Sequence, residues 1–140
     1  LDLAVVQTRT VPAGTLIGYG GSLRTMAETR LATLAAGYAD GLPRSLSNSG
    51  AAYFNGVRLP IAGRVSMDSI SIDISALPEG TLTHGSLVQL VGPDQSLEDI
   101  AADAGTIAYE ILTGLGYRYR RTYVQPEMPA ATGSATNADE

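Results

Sequence analysis

The 140-residue chain contains no cysteine, no lysine and a single histidine, His84. The first absence excludes disulfides, thiolate nucleophiles and cysteine metal sites. One imidazole cannot build a multi-histidine zinc centre, so no metal site is expected. All nine basic residues are arginines: Arg9, Arg24, Arg30, Arg44, Arg58, Arg64, Arg118, Arg120 and Arg121. Chemistry that runs through a side-chain Schiff base therefore cannot be completed within these residues. Positive charge is also in deficit, with a net charge of −5, which argues against a general affinity for nucleic acid. No apolar run is long enough to cross a bilayer. The opening stretch Leu1-Asp2-Leu3-Ala4-Val5-Val6 lacks a basic leader. We therefore expect no signal peptide, no membrane partner and a cytoplasmic location.

What is present points to one β-rich domain with enough chain to bury a core. From Ile61 to Ser75 the sequence first breaks pattern and then alternates. Ile70, Ile72 and Ile74 face one way, and Ser71, Asp73 and Ser75 the other. Period two is the signature of a half-buried strand. The irregular half carries Gly63, Arg64, Met67 and Asp68, an unusual set for a strand entering a core, and we look there for chemistry.

The remaining elements follow in order. Residues 1 to 9 read as a strand that starts abruptly, as if continued from upstream. Residues 15 to 17 form a strand end running into Gly18-Tyr19-Gly20, and 29 to 37 form another strand. Asp40-Gly41 supplies turn chemistry, and residues 45 to 50 read as a polar loop. Asn55-Gly56 between apolar runs signals a hairpin. Residues 86 to 92 predict a further strand. Ser96 and Asp99 form a capping-box variant opening a helix that Gly105 ends, and Thr106 is the expected cap of a second. Tyr117 to Arg120 alternate as a final strand, and the tail 125–140 has the composition of disorder. The fold class expected is mainly β: an antiparallel, barrel-like domain with one small helical pair near residues 97–113.

Four stretches, Gly18-Tyr19-Gly20, Gly37-Tyr38-Ala39-Asp40-Gly41, Gly63-Arg64-Val65-Ser66-Met67-Asp68 and Thr106-Ile107-Ala108-Tyr109-Glu110, stand in this order and spacing. Together they resemble the C-terminal β-domain of alanine racemase, over residues 1–124. The resemblance implies a bacterial isomerase that uses pyridoxal 5′-phosphate (PLP) to interconvert L- and D-alanine, as for peptidoglycan. It also implies a homodimer and an N-terminal (β/α)8 barrel carrying the PLP-anchoring lysine. This chain has neither the lysine nor a run of alternating strands and helices. It is thus expected to be the β-domain alone and inactive in isolation.

By the same resemblance Tyr19 matches the catalytic base that serves a partner subunit's barrel. A free phenol has a pKa near ~10, so a nearby cation must help it work at neutral pH. Met67 matches the residue whose backbone amide meets the substrate carboxylate. Arg44 and Arg64 match the channel wall. Tyr38 and Ile107 match its inner constriction, and Tyr109 the contact to the cofactor phosphate. Asp68 is expected to order its loop, and His84 to lie on the surface. Leu42-Pro43 stands where relatives often carry an aromatic residue, which leaves substrate breadth open.

Two other readings compete. The helical pair superficially suits a helix-turn-helix, yet it carries Glu98, Asp99, Asp103 and Glu110 and no basic residue before Gly114. Alternatively, the domain is a non-catalytic β-barrel binding or assembly module, its tyrosines forming a contact surface.

Overall fold

The structure, a computed structural model, describes residues 1–17 and 23–115. Tyr19, the strand expected at 117–120 and the tail from 125 lie outside the described residues. Eight strands and two α-helices are present among those described: β1 (Asp2–Val11), β2 (Leu16–Ile17), β3 (Leu23–Arg24), β4 (Thr29–Leu34), β5 (Ala51–Phe54), β6 (Val57–Pro60), β7 (Ile70–Asp73), β8 (Leu87–Gln89), α1 (Leu97–Ala104) and α2 (Ala108–Gly114). Six strands form one sheet in the order β6-β5-β8-β1-β4-β7, every pair antiparallel, and β2 pairs with β3.

The long β1 organises this sheet. Its first residues, Asp2–Ala4, pair with β8, and from Val5 onward it pairs with β4. A register shift between Val5 and Gln7 lets one strand serve both neighbours, because a bulge bends and twists the strand that carries it. The two edge strands then approach one another. Ile61, just past β6, bridges Ile72 of β7, and the Ala62 amide donates to the Ser71 carbonyl at 2.8 Å. The antiparallel sheet thus curls until its edges touch, which is the barrel-like arrangement expected.

The alternation around β7 has the predicted consequence. Ile70, Ile72 and Ile74 are buried, and Ser71 and Asp73 are half-buried. Their isoleucines join Leu3, Val5, Leu34, Leu59 and Val88 in the main core. A smaller cluster of Val11, Ile17, Leu31 and Ala62 packs apart from it. β4 contributes to both, since Leu31 and Ala32 point to opposite sides.

Most local signals are realised. Asn55 (φ 49°) and Gly56 (φ 80°) sit in the left-handed region between β5 and β6, as a tight hairpin demands. At α1 the Asp99 amide donates to Ser96 Oγ and the Ser96 amide to the Asp99 carboxylate, each at 3.0 Å. Three expectations need correction. The strand at 29–37 ends at Leu34. Residues 45–50 begin with a 3₁₀ turn, Arg44–Leu46, because Leu46 is drawn into the core. The cap of α2 is Ile107, without a side-chain hydrogen bond, while the Thr106 hydroxyl turns to the Glu110 carboxylate. With seven residues and an acidic first turn, α2 is a poor recognition helix.

Candidate functional site

The site begins with a turn that Asp40 holds shut. Its carboxylate, 2% exposed, accepts from the Gly37 amide at 3.0 Å, closing the 3₁₀ turn Tyr38–Asp40. Against this turn lies the segment 62–69. It was expected to run into the strand, but it is a loop, because β7 starts only at Ile70. The Tyr38 amide donates to the Ser66 carbonyl and the Ala39 amide to the Met67 carbonyl, both at 2.9 Å. The approach is close enough that a Cβ on Gly37 would overlap both carbonyl oxygens. On the other side of the turn, a Cβ on Gly41 would overlap the Gly114 carbonyl at the end of α2. Two glycines thus let the turn, the loop and the helix meet backbone to backbone.

An open cleft of about 620 Å³ results, lined by Tyr38, Arg44, Val65, Ser66, Met67, Asp68 and Ser69. The Arg44 guanidinium lies 5.3 Å from the centre of the Tyr38 ring. This is cation–π distance, and the contact holds the charge at the cleft wall. A guanidinium, a phenol, hydroxyls and a carboxylate around one small space suit a small zwitterion carrying both an anionic and a cationic group. Among the described residues, no group of three or more His, Asp or Glu could hold a metal ion.

The fold brings together four of the residues singled out from sequence: Tyr38, Arg44, Met67 and Asp68. Arg64 is exposed beside the cleft but does not line it. Ile107 (67% exposed) and Tyr109 (72% exposed) project from the start of α2, outside this cleft. Tyr19, the proposed base, falls outside the described residues. Asp68 lines the cleft, and His84 is exposed as expected.

Met67 is not held in place by burial, since the residue is 53% exposed. Hydrogen bonds from the neighbouring turn hold its peptide instead. Two residues that sequence reasoning passed over also hold this loop. The Gly63 amide donates to Asn48 Oδ1 at 2.6 Å, and the Val65 amide to Ser47 Oγ at 2.8 Å. The available signal was weak, because an asparagine in a polar loop is ordinary; only its left-handed backbone (φ 59°) marks it.

The family model for the alanine racemase C-terminal domain matches residues 1–123. The chain is 78% identical over 136 residues to the catabolic alanine racemase of Agrobacterium fabrum, covering 97% of this chain and 35% of that protein. It is 72% identical over 123 residues to the catabolic alanine racemase of Rhizobium johnstonii, covering 88% and 33%. Among solved structures, alanine racemase from Bartonella henselae with covalently bound pyridoxal phosphate superimposes with a TM-score of 0.84. That match has 48% identity and covers 88% of this chain and 34% of that one. The chain therefore spans about a third of the length of the relatives it matches.

Proposed function

The chain belongs to the alanine racemase C-terminal domain family, and from that membership we propose that it is the β-domain of a PLP-dependent racemase. In this reading it works against an N-terminal (β/α)8 barrel and a homodimer partner, and L- and D-alanine are interconverted. The observation that carries the reading is the convergence of Tyr38, Arg44 and Met67, from three separate segments, on one polar cleft.

Racemisation removes the substrate Cα proton on one face and returns one on the other, so two opposed bases are needed. PLP, when bound, supplies the electron sink that makes the carbanion accessible. With no lysine in 140 residues, this chain cannot anchor that cofactor covalently. Its exposed phenols and guanidinium do suit anionic groups. Tyr109 would donate to the cofactor phosphate and the Met67 amide to the substrate carboxylate. Arg44 and Arg64 would draw the zwitterion along the channel, and Tyr38 and Ile107 would narrow its inner end. Tyr19 would take and return the proton at Cα on its own face. The lysine for the other face must come from the barrel.

Two experiments test this. The purified 140-residue chain, given L-alanine and PLP, should form no D-alanine, and detection of the D-enantiomer would overturn the division of labour. In the complete enzyme, Tyr19→Phe should slow Cα exchange on one face by roughly 10²–10⁴-fold with cofactor absorbance retained. Undiminished exchange in both directions would remove Tyr19 from the mechanism.

The names of two relatives favour a second physiological setting for the same chemistry. Both the 78% and the 72% identical proteins are called catabolic. Consumption of alanine, rather than D-alanine supply for the cell wall, is then the role to test. Growth on alanine as sole carbon source should fail when the gene is deleted, while cell-wall synthesis proceeds.

A further inference from the structure

The loop that carries Arg64 to Met67 is gripped from two sides. One grip is the 37–40 turn described above. The other comes from Ser47 and Asn48, which follow directly on the 3₁₀ turn that bears Arg44. Asn48 engages Gly63 twice: its own amide donates to the Gly63 carbonyl at 3.1 Å, and the Gly63 amide donates to Asn48 Oδ1 at 2.6 Å. Such a paired contact fixes both the distance and the orientation of the two strands of backbone. It depends on Asn48 occupying the left-handed region, which asparagine tolerates better than most residues. Ser47 is the second point. Its hydroxyl accepts from the Val65 amide at 2.8 Å and donates to the Arg44 carbonyl at 2.6 Å.

One hydroxyl therefore joins the backbone of Arg44 to the backbone of the Met67 loop. Arg44 is the cation of the cleft wall and Met67 the residue whose amide the functional reading assigns to the carboxylate, and both line the cleft. We propose that Ser47 and Asn48 are positioning residues that set the spacing of the Arg44 side chain and the Met67 amide, and hence the fit of the site to an amino acid's carboxylate. This rests on the functional reading above. Neither residue lines the cleft, so each acts through the loop rather than by touching substrate. The effect belongs in KM, because the spacing governs how the carboxylate is held and leaves the proton-transferring group unchanged.

The test uses the complete enzyme with alanine as substrate. Asn48→Gly keeps the backbone conformation accessible and deletes the side-chain acceptor. Asn48→Asp retains an oxygen acceptor at the same place. Ser47→Ala removes the shared hydroxyl. Asn48→Gly, which loses one side-chain hydrogen bond, should raise KM by about two- to tenfold, and Ser47→Ala, which loses two, by at least as much, each with kcat nearly unchanged. Asn48→Asp should restore most of the KM. Hydrogen exchange at the Gly63 and Val65 amides should quicken in the corresponding variants, which reads the clamp independently of activity. The proposal is overturned if those amides exchange faster while KM for alanine stays at the wild-type value. It is equally overturned if kcat falls with KM unmoved, or if Asn48→Asp behaves like Asn48→Gly. Failure of the functional reading would look different, since the unaltered enzyme would then show no racemisation.

Discussion

Gly37 has no side chain because two carbonyl oxygens occupy the space one would need. Its φ of −149° is open to any residue, so the requirement is proximity and not backbone freedom. Gly37→Ala must push the 62–69 loop away from the turn and lengthen the Tyr38 and Ala39 hydrogen bonds. We expect a loss of about 1–3 kcal/mol, as for overpacking of a tight contact, measured by urea denaturation of the chain. Gly92→Ala is the useful control. The atoms a Cβ would meet there are the amide end of the Gln89 side chain, which can rotate aside, so the loss should be smaller. Equal losses would mean that the turn and loop do not depend on their close approach. Asp40 and Met67 show the same lesson from the side of chemistry. The aspartate serves its own turn, and the methionine is held by its backbone while its side chain stands exposed.

Among the elements, those with local instructions came out nearest to expectation. The Asn55-Gly56 hairpin, the Ser96–Asp99 box and the glycine that ends α1 are each written within a few consecutive residues. Their physics is correspondingly local. Ser96→Ala should destabilise the chain by about 1 kcal/mol, because the Asp99 amide loses its acceptor, and a thermal melt would register it. A melt unchanged from wild type would show that α1 is held by packing alone. Element ends were less legible. β4 stops three residues early, α2 is capped one residue later than its threonine suggested, and 62–69 leaves the strand altogether. At α2 the cause is near, since Thr106 turns to Glu110, but the loop 62–69 and the stretch 45–50 are set by partners distant in sequence. The turn at 37–40 pulls the loop out of line, and the pull on Leu46 folds the polar stretch 45–50 inward.

At the scale of the whole molecule, Ile72 is where the sheet is joined to itself. Fully buried, it pairs with Ala32 of β4 on one side and is bridged by Ile61 on the other. Ile72→Ala should remove roughly 2–5 kcal/mol, the range for a large cavity in a core. Denaturation followed by circular dichroism should show that loss in a single transition. A loss well below this range, or a separate early transition for the hairpin, would mean that the edges are not energetically joined. The composition acts at this scale too. A chain with no lysine and a net charge of −5 can offer cleft walls and hydroxyls, but it cannot hold an aldehyde cofactor covalently.

Composition and periodicity by themselves determined what this chain cannot do chemically, that its body is antiparallel sheet, and where its hairpin and first helix begin. Those are properties of residue counts and of contacts between near neighbours. The resemblance carried by four short stretches identified the family in advance and nominated site residues, three of which, Tyr38, Arg44 and Met67, the fold brings to one cleft. Only the tertiary structure decided that Arg64, Ile107 and Tyr109 stand apart from that cleft, that the Met67 loop is held by backbone carbonyls, and that Ser47 and Asn48 brace it. Those facts depend on backbone segments some fifteen to thirty residues apart meeting at hydrogen-bond distance, and no pattern within either segment records its partner.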